Sequence, residues 1–176
     1  MMWEKMGRIF VAGGEFDWMV SHGAHPKSVH LTGNVFRIFF SVRDRRNMSH
    51  IAFLDIDLDN PLEIIRLSRK PVLAPSGIGL FDDCGVLPSG VTSLESGYVL
   101  YFVGISRSRL TPLMSFPGVA ILSKTLDVAD RLSPGPLLDR TPDDPYALGA
   151  VDVHFNQASK RYEMWYESFQ GWSTLT

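Results

Sequence analysis

Short apolar stretches rich in Val, Ile, Phe and Tyr alternate along this chain with turns that contain Gly, Pro, Asn and Asp. This pattern is typical of β-strands, and no long stretch shows the apolar spacing of an amphipathic helix. The first part of the chain predicts four successive strands separated by turns: 27–31, 35–42, 49–57 and 63–68. The chain is therefore expected to be all-β.

The same pattern recurs with a fixed period of 62 residues. Val29, Val91 and Val153 occupy equivalent positions in three similar segments, and an aromatic-rich strand follows each valine. The segments are 25–29, 87–91 and 149–153. A period longer than forty residues, with four short strands in each repeat, is typical of the blades of a β-propeller. A β-sandwich is the ordinary alternative for an all-β chain, but it does not explain the repetition.

The repeat predicts one domain over residues 1–176, with units at roughly 22–83, 84–145 and 146–176, the last of them incomplete. Propellers close with four to eight blades, whereas about three four-stranded blades are expected here. The chain is therefore expected to be an incomplete propeller that needs missing blades or self-association to close its ring. Residues 7–18 are predicted to form an outer strand, and Trp165 and Tyr166 are expected to fill the space between blades.

Composition narrows the function classes. A net charge of −2 and a pI near 6.2 argue against a nucleic-acid partner, and no apolar run has the length of a membrane span. The single cysteine, Cys84, cannot form an internal disulfide, and the N-terminal residues lack the apolar core of a signal peptide. A cytoplasmic location is therefore expected. No spacing typical of a zinc site or a phosphate-binding loop is present, so neither a metal nor a cofactor is expected.

Blade geometry selects candidate functional residues. In a blade the innermost strand enters from one face and the second strand returns to it, so residues before the first strand and after the second should lie together near the axis. The residues before the inner strands are His22, His25, Asp82, Asp83, Asp143 and Asp144. Those after the second strands are Arg43, Asp44, Arg45, Ser106, Arg107 and Glu167.

This mixture of carboxylates, arginines and histidines suits a polar ligand. Carboxylate pairs can supply the acid and the base of glycosidic cleavage, and arginines hold phosphate or carboxylate groups. A structural interpretation stands beside this one. Two aspartates before Gly or Pro are a common turn signal, and Arg43 with Asp44 can form a structural ion pair.

Several of these residues also carry a resemblance to a known family. They are Trp18, His22, Pro26, the strand 36–44, Ser49-His50-Ile51, Met164-Trp165-Tyr166 and, most specific, the segment 79–89. With them the chain resembles the five-bladed β-propeller proteins related to glycoside hydrolase families 43, 32 and 130. The resemblance covers nearly all of the chain and about three-fifths of such a ring. The Asp-Pro pair that is typical of family 43 is replaced here by His25-Pro26 and Leu87-Pro88.

The resemblance implies a central funnel that holds a carbohydrate ligand. It implies a catalytic role for Asp44, Asp82 and Asp83. Substrate binding is expected from His22, His25, Arg43, Arg107, Asp144 and Glu167. The chain is thus expected to be a glycosidase-like propeller that acts on or binds a glycosyl group in carbohydrate or polysaccharide metabolism, through carboxylate acid/base chemistry. The alternative is a non-catalytic carbohydrate-binding propeller, and a protein-interaction scaffold has no specific support, so whether the chain is an enzyme stays open.

Overall fold

The computed structural model describes residues 5–172, and this part of the chain is all-β, as predicted. Ten strands follow one another: β1 Ser21–Thr32, β2 Val35–Arg43, β3 Ser49–Asp57, β4 Ile64–Leu67, β5 Gly85–Leu94, β6 Gly97–Ser106, β7 Met114–Leu122, β8 Ala129–Arg131, β9 Leu148–Asn156 and β10 Arg161–Ser168. The described residues include no helix with the length and apolarity needed to cross a membrane.

The strands form two complete four-stranded antiparallel units and the first two strands of a third. Strands β1 to β4 form the first unit, β5 to β8 the second, and β9 pairs with β10 as a separate two-stranded sheet. Only the parallel partners Ser49 and Gly85 join the first unit to the second through strand pairing. The backbone N–H of Ala129 on β8 also donates to the carbonyl oxygen of Val72 at 2.9 Å, and side-chain contacts add to this connection. The described strands do not close into a ring.

Most strand positions agree with those that the sequence predicts. Strand β3 has the predicted bounds, and β2 and β4 differ from theirs by at most one residue at each end. Strand β1 begins six residues before its predicted start, because the chain continues through irregular pairing between Ser21 and Lys27. His22 and His25 adopt positive φ angles of 66° and 55° in this irregular part. Strand β8 was not predicted, since three residues carry too weak a pattern.

The main core lies between the first and second units. Phe39, Phe53, Leu100 and Phe102 are its largest fully buried side chains together with Ile51. They come from β2 and β3 of the first unit and from β6 of the second, whose alternate side chains face the neighbouring unit. Burial of aliphatic and aromatic side chains at this face is what holds one blade against the next.

A buried arginine links the same two units. Arg37 on β2 donates to both carboxylate oxygens of Asp55 at 2.7 and 2.8 Å, and to the carbonyl oxygens of Thr125 and Leu126 at 2.7 and 2.8 Å. Its guanidinium carbon lies 3.7 Å from the centroid of the Phe53 ring. Arg37 therefore binds the loop between β7 and β8 of the second unit to the middle of the first.

The prediction of an outer strand at residues 7–18 is wrong. This segment forms no extended pairing and contains one isolated bridge, between Phe16 and Met19. Gly13 and Gly14 interrupt it, and Gly14 has a φ of 85°, which does not fit a strand. The segment instead packs its apolar side chains on the face of the first unit that points away from the second, against Phe40 and the neighbouring apolar residues.

Candidate functional site

The three repeated segments meet at one pocket of about 430 Å³. It is lined by equivalent parts of the three inner strands: His25, Pro26 and Lys27 on β1, Leu87, Pro88 and Ser89 on β5, and Gly149 and Ala150 on β9. Val103, Ile105, Leu113, Ser115, Glu167 and Phe169 complete its wall. We call this the axial pocket. Its position explains the repeat, because the same segment of each unit supplies the wall.

Hydroxyl groups fix the second unit against the third at this pocket. Ser89 Oγ donates to the carbonyl oxygen of Val151 at 2.7 Å, Thr92 Oγ1 donates to that of Val153 at 2.8 Å, and Ser115 Oγ donates to that of Leu148 at 2.9 Å. All three donors are buried. Hydrogen bonds between buried groups are costly to break, so the wall formed by β5 and β9 is held in a defined geometry.

Glu167 is the carboxylate that the structure places in the wall of the axial pocket. It follows Tyr166 near the end of β10, and its Oε2 accepts a hydrogen bond of 3.3 Å from the backbone N–H of Ala150. A Cβ atom at Gly149 would lie 2.9 Å from the Cβ atom of Glu167 and would overlap its carboxylate. The glycine therefore allows the Glu167 side chain to lie flat against β9.

Replacement of Gly149 by Ala is expected to push the Glu167 carboxylate away from the Ala150 amide. Most of the overlap is with a flexible side chain, so a loss of unfolding free energy of only about 1 kcal/mol is expected. Urea denaturation would measure that loss, and ligand titration would measure the effect on the pocket. A variant that loses stability by 4 kcal/mol or more would show that the overlap is relieved by the backbone instead.

His25 and Lys27 on β1 form another part of the pocket wall. His25 Nδ1 lies 3.1 Å from Ser41 Oγ, which orients the ring. Partial burial lowers the pKa of His25, and the positive charges of Lys27 and Arg43 lower it further. The imidazole is therefore neutral at neutral pH. Because Ser41 Oγ donates to the carbonyl oxygen of Ala24, Nδ1 donates to Ser41, and Nε2 is left to accept a hydrogen bond from a ligand.

A smaller adjoining pocket of about 250 Å³ shares Lys27, Ser89, Ala150 and Glu167 with the axial pocket. It adds Asp152 and the aromatic side chains of Trp165 and Tyr166. These two aromatic residues are 57% and 41% exposed, so within the described chain they do not fill a space between blades as expected. Asp152 Oδ2 lies 2.9 Å from His154 Nε2, whose ring meets Trp165 edge-on at 5.8 Å.

The sequence did not identify Lys27 and Asp152 as site residues. Both lie within inner strands, whereas the blade geometry pointed to residues before the first strand and after the second strand of each unit. The repeat alignment contained a usable signal: Lys27 corresponds to Ser89, and Asp152 corresponds to Gly90. A charged residue that replaces a small one at an equivalent inner-strand position is thus a signal by which Lys27 and Asp152 could have been found.

Asp82, for which a catalytic role is expected from the resemblance, does not line the axial pocket. Its side chain is fully buried, and Arg131 donates to its Oδ2 from Nε at 2.7 Å and from Nη2 at 2.5 Å. Arg131 also donates to the carbonyl oxygen of Ala74. Within the described chain this carboxylate is therefore enclosed and faces Arg131 rather than the axial pocket. Asp82 instead holds β8 against the 74–82 segment.

Asp44 and Asp83 stabilise loops. Asp44 Oδ1 accepts hydrogen bonds of 2.9 Å from the backbone N–H groups of Arg46 and Met48, and its Oδ2 lies 3.3 Å from His50 Nε2. Partial burial alone would raise the pKa of Asp44, but the hydrogen bonds from Met48, His50 and Arg46 outweigh it and lower the pKa. Asp83 Oδ2 accepts the backbone N–H of Gly79 at 2.9 Å. Neither carboxylate lines the axial pocket.

Of the six expected substrate-binding residues, the structure brings His25 and Glu167 together in the axial pocket. The other four do not line it: His22 lies 2.9 Å from Ser21 Oγ, Arg43 donates to Asn47 at 2.8 Å, Asp144 accepts the Tyr166 hydroxyl at 2.9 Å, and Arg107 is exposed in the loop after β6. In residues 5–172 no group of three or more His, Cys, Asp or Glu side chains is placed to hold a metal ion.

No family model matches the chain. Two proteins of Mycobacterium tuberculosis, named "Uncharacterized protein MT1551" in strain CDC 1551 / Oshkosh and "Uncharacterized protein Rv1502" in strain H37Rv, are each 37% identical to it over all 176 residues. The chain spans 58% of the length of these relatives. The similarity extends over every strand described above and over both sides of the axial pocket.

Two solved structures share the arrangement of strands. A glycosyl hydrolase from Bacteroides ovatus superposes on 84% of this chain, and on 45% of its own, with a TM-score of 0.57 at 12% identity. A glycoside hydrolase-like protein from Parabacteroides distasonis superposes on 77% of this chain and 39% of its own, with a TM-score of 0.55 at 13% identity. The fold is that of the glycosidase-like β-propellers. At this identity the similarity extends to the fold and not to the chemistry of the site.

Proposed function

We propose that this propeller binds a glycosyl group in the axial pocket. The observation that carries the proposal is the convergence of the three repeated segments on that pocket, with Glu167, His25 and Lys27 in its wall. The volume of about 430 Å³ is within the range of small-molecule sites. A carboxylate, a neutral imidazole and an ammonium group together can accept from and donate to the hydroxyl groups of a sugar.

Glu167 and Asp152 are the carboxylates that we propose for chemistry on that glycosyl group. Cleavage of a glycosidic bond commonly uses two carboxyl groups that flank the bond. Glu167 lines both the axial pocket and the smaller adjoining pocket, and Asp152 lines the adjoining pocket. The proposed acid/base pair thus comes from β9 and β10, in place of Asp44, Asp82 and Asp83, which the sequence suggested.

A second candidate is sugar binding without cleavage. The observation that favours it is that Glu167 is the single carboxylate in the described wall of the axial pocket itself. If the ligand occupies that pocket alone, no second carboxylate contacts the glycosidic bond. The two candidates differ in turnover and agree on binding.

Replacement of Glu167 by Gln is expected to weaken sugar binding by about tenfold or more, because a hydrogen bond to a charged group contributes about 1.5–3 kcal/mol. If the protein is a hydrolase, the same change is expected to lower turnover by about 10²–10⁴-fold. Isothermal titration with a panel of monosaccharides and assays with nitrophenyl glycosides would measure the two effects. Glu95→Gln, in the turn before β6, is the matched control.

The outcomes separate the candidates. Binding together with turnover that Glu167→Gln removes supports the hydrolase, and binding without turnover in the unaltered protein supports the binding propeller. An affinity that is the same in Glu167→Gln as in Glu95→Gln would contradict the assignment of the axial pocket.

A further inference from the structure

A second cavity of about 420 Å³ lies at the outer rim, where the end of β4 faces the loop between β7 and β8. It is lined by Phe53, by Arg66, Leu67, Ser68, Arg69 and Lys70, and by Asp127 and Val128. We call it the rim cavity. It shares no lining residue with the axial pocket, so it is a separate site on the boundary between the first and second units.

The wall of the rim cavity carries an excess of positive charge. Arg66, Arg69 and Lys70 face one carboxylate, that of Asp127, which Arg66 contacts at 3.1 Å. Asp127 is already satisfied, because its other oxygen accepts the hydroxyl groups of Ser123 and Thr125. Hydrogen bonding from Thr125, and then from Arg66 and Ser123, outweighs burial and lowers the pKa of Asp127. Over residues 5–172 neither Arg69 nor Lys70 forms a salt bridge with a carboxylate.

The arginine at the centre of this wall is held in place before any ligand arrives. The Arg66 guanidinium carbon lies 5.0 Å from the centroid of the Phe53 ring, and its Nη2 is fixed by Asp127. The Phe53 ring is itself 1% exposed and held by Arg37. The backbone N–H of Ser68 donates to the carbonyl of Phe53 at 2.9 Å, which fixes the end of β4. A guanidinium group positioned in this way loses little entropy when its remaining N–H groups bind an oxyanion.

We propose that the rim cavity binds a small phosphate ester. The two uncompensated charges of Arg69 and Lys70 match the dianionic phosphate group, and Arg66 offers the planar N–H donors that such a group accepts. The cavity is larger than a phosphate group requires, which leaves space for the organic part of the ester above Leu67 and Val128. Because the walls come from two units, the ligand bridges them.

Titration calorimetry at constant ionic strength, with glycerol 3-phosphate, inorganic phosphate and uncharged glycerol as probes, tests this proposal. Glycerol 3-phosphate is expected to bind more tightly than inorganic phosphate. Uncharged glycerol is not expected to bind. The double variant Arg69→Gln/Lys70→Gln is expected to lose affinity by tenfold or more. The double variant Lys124→Gln/Arg109→Gln removes the same charge from exposed positions outside the cavity and is expected to retain the affinity of the unaltered protein.

Three outcomes would overturn the proposal: no heat of binding with either phosphate probe at millimolar concentration, an equal loss of affinity in both double variants, or binding that Arg69→Gln/Lys70→Gln does not weaken. Thermal denaturation supplies a second measurement, because a ligand that binds only the folded state raises the Tm. The shift with glycerol 3-phosphate should be present in Glu167→Gln, which alters the axial and adjoining pockets but no residue that lines the rim cavity. The test of phosphate-ester binding at the rim cavity is therefore independent of the proposed sugar site.

Discussion

Replacement of Arg37 by Met is expected to lower the free energy of unfolding by about 3–5 kcal/mol, the usual cost of removing one member of a buried ion pair. The change leaves the Asp55 carboxylate, whose side chain is 8% exposed, without its partner. It also removes the donor to the carbonyl oxygens of Thr125 and Leu126. Methionine fills much of the same volume, so the loss arises from unpaired polar groups and not from a cavity.

The double variant Arg37→Met/Asp55→Leu separates these contributions. Removing the carboxylate as well should recover most of the loss, because an apolar pair is often as stable as a buried ion pair. A residual loss of about 1–3 kcal/mol is expected from the two carbonyl groups. Urea denaturation of the single and double variants would provide the values. A double variant as unstable as Arg37→Met would show that the carbonyl groups, and not Asp55, determine the effect.

Replacement of Asp82 by Asn is expected to lower the free energy of unfolding by about 3 kcal/mol, because it breaks the pair with Arg131 in a fully buried place. An amide of the same shape cannot balance the guanidinium charge, and Arg131 is only 21% exposed. Chemical denaturation would measure the loss.

The matched comparison is Asp83→Asn at the next position. Asp83 is partly exposed as a residue, and its Oδ1 is buried without a hydrogen-bond partner among the described residues. Its Oδ2 accepts one backbone hydrogen bond, from Gly79, so a loss of about 1 kcal/mol is expected. A structural role for Asp82 requires the larger loss in Asp82→Asn. If Asp82→Asn kept full stability while turnover of a sugar substrate disappeared, the result would support the catalytic role of Asp82 that the sequence suggested.

The architecture could largely be predicted from the sequence, because strands and repeats are local or periodic signals. The short apolar stretch in 49–57, bounded by turn residues, predicted β3 to the residue. The spacing of Val29, Val91 and Val153 predicted equivalent positions on the inner strands. Residues 7–18 show the limit of that reasoning. Their apolar side chains are typical of a strand, but Gly13 and Gly14 interrupt the extended conformation. The segment instead covers an apolar face of the first unit.

The candidate site was only partly predictable, for a physical reason. The hairpin argument places residues near the axis but does not say whether a side chain faces a cavity or a neighbouring blade. His25 and Glu167 face the axial pocket. Asp82 comes shortly before the inner strand β5, as the hairpin argument requires, yet its side chain points into the interior and binds Arg131. Arg131 lies 49 residues further along the chain, and no local pattern could indicate that partner.

The sheet of β9 and β10 forms no strand pairing with the second unit within the part of the chain that is described, and the hydroxyl groups of Ser89, Thr92 and Ser115 hold it there. A hairpin attached in this way can detach as a cooperative subglobal unit, at a lower free energy than global unfolding. Glu167 moves with it. The fraction of molecules with an intact pocket is thus set by a local equilibrium, and the apparent affinity for the proposed sugar ligand would be reduced by that fraction. A ligand that contacts both β1 and β10 would slow amide hydrogen exchange throughout the hairpin. Occupancy of the axial pocket could then be measured at amide groups that the ligand does not contact.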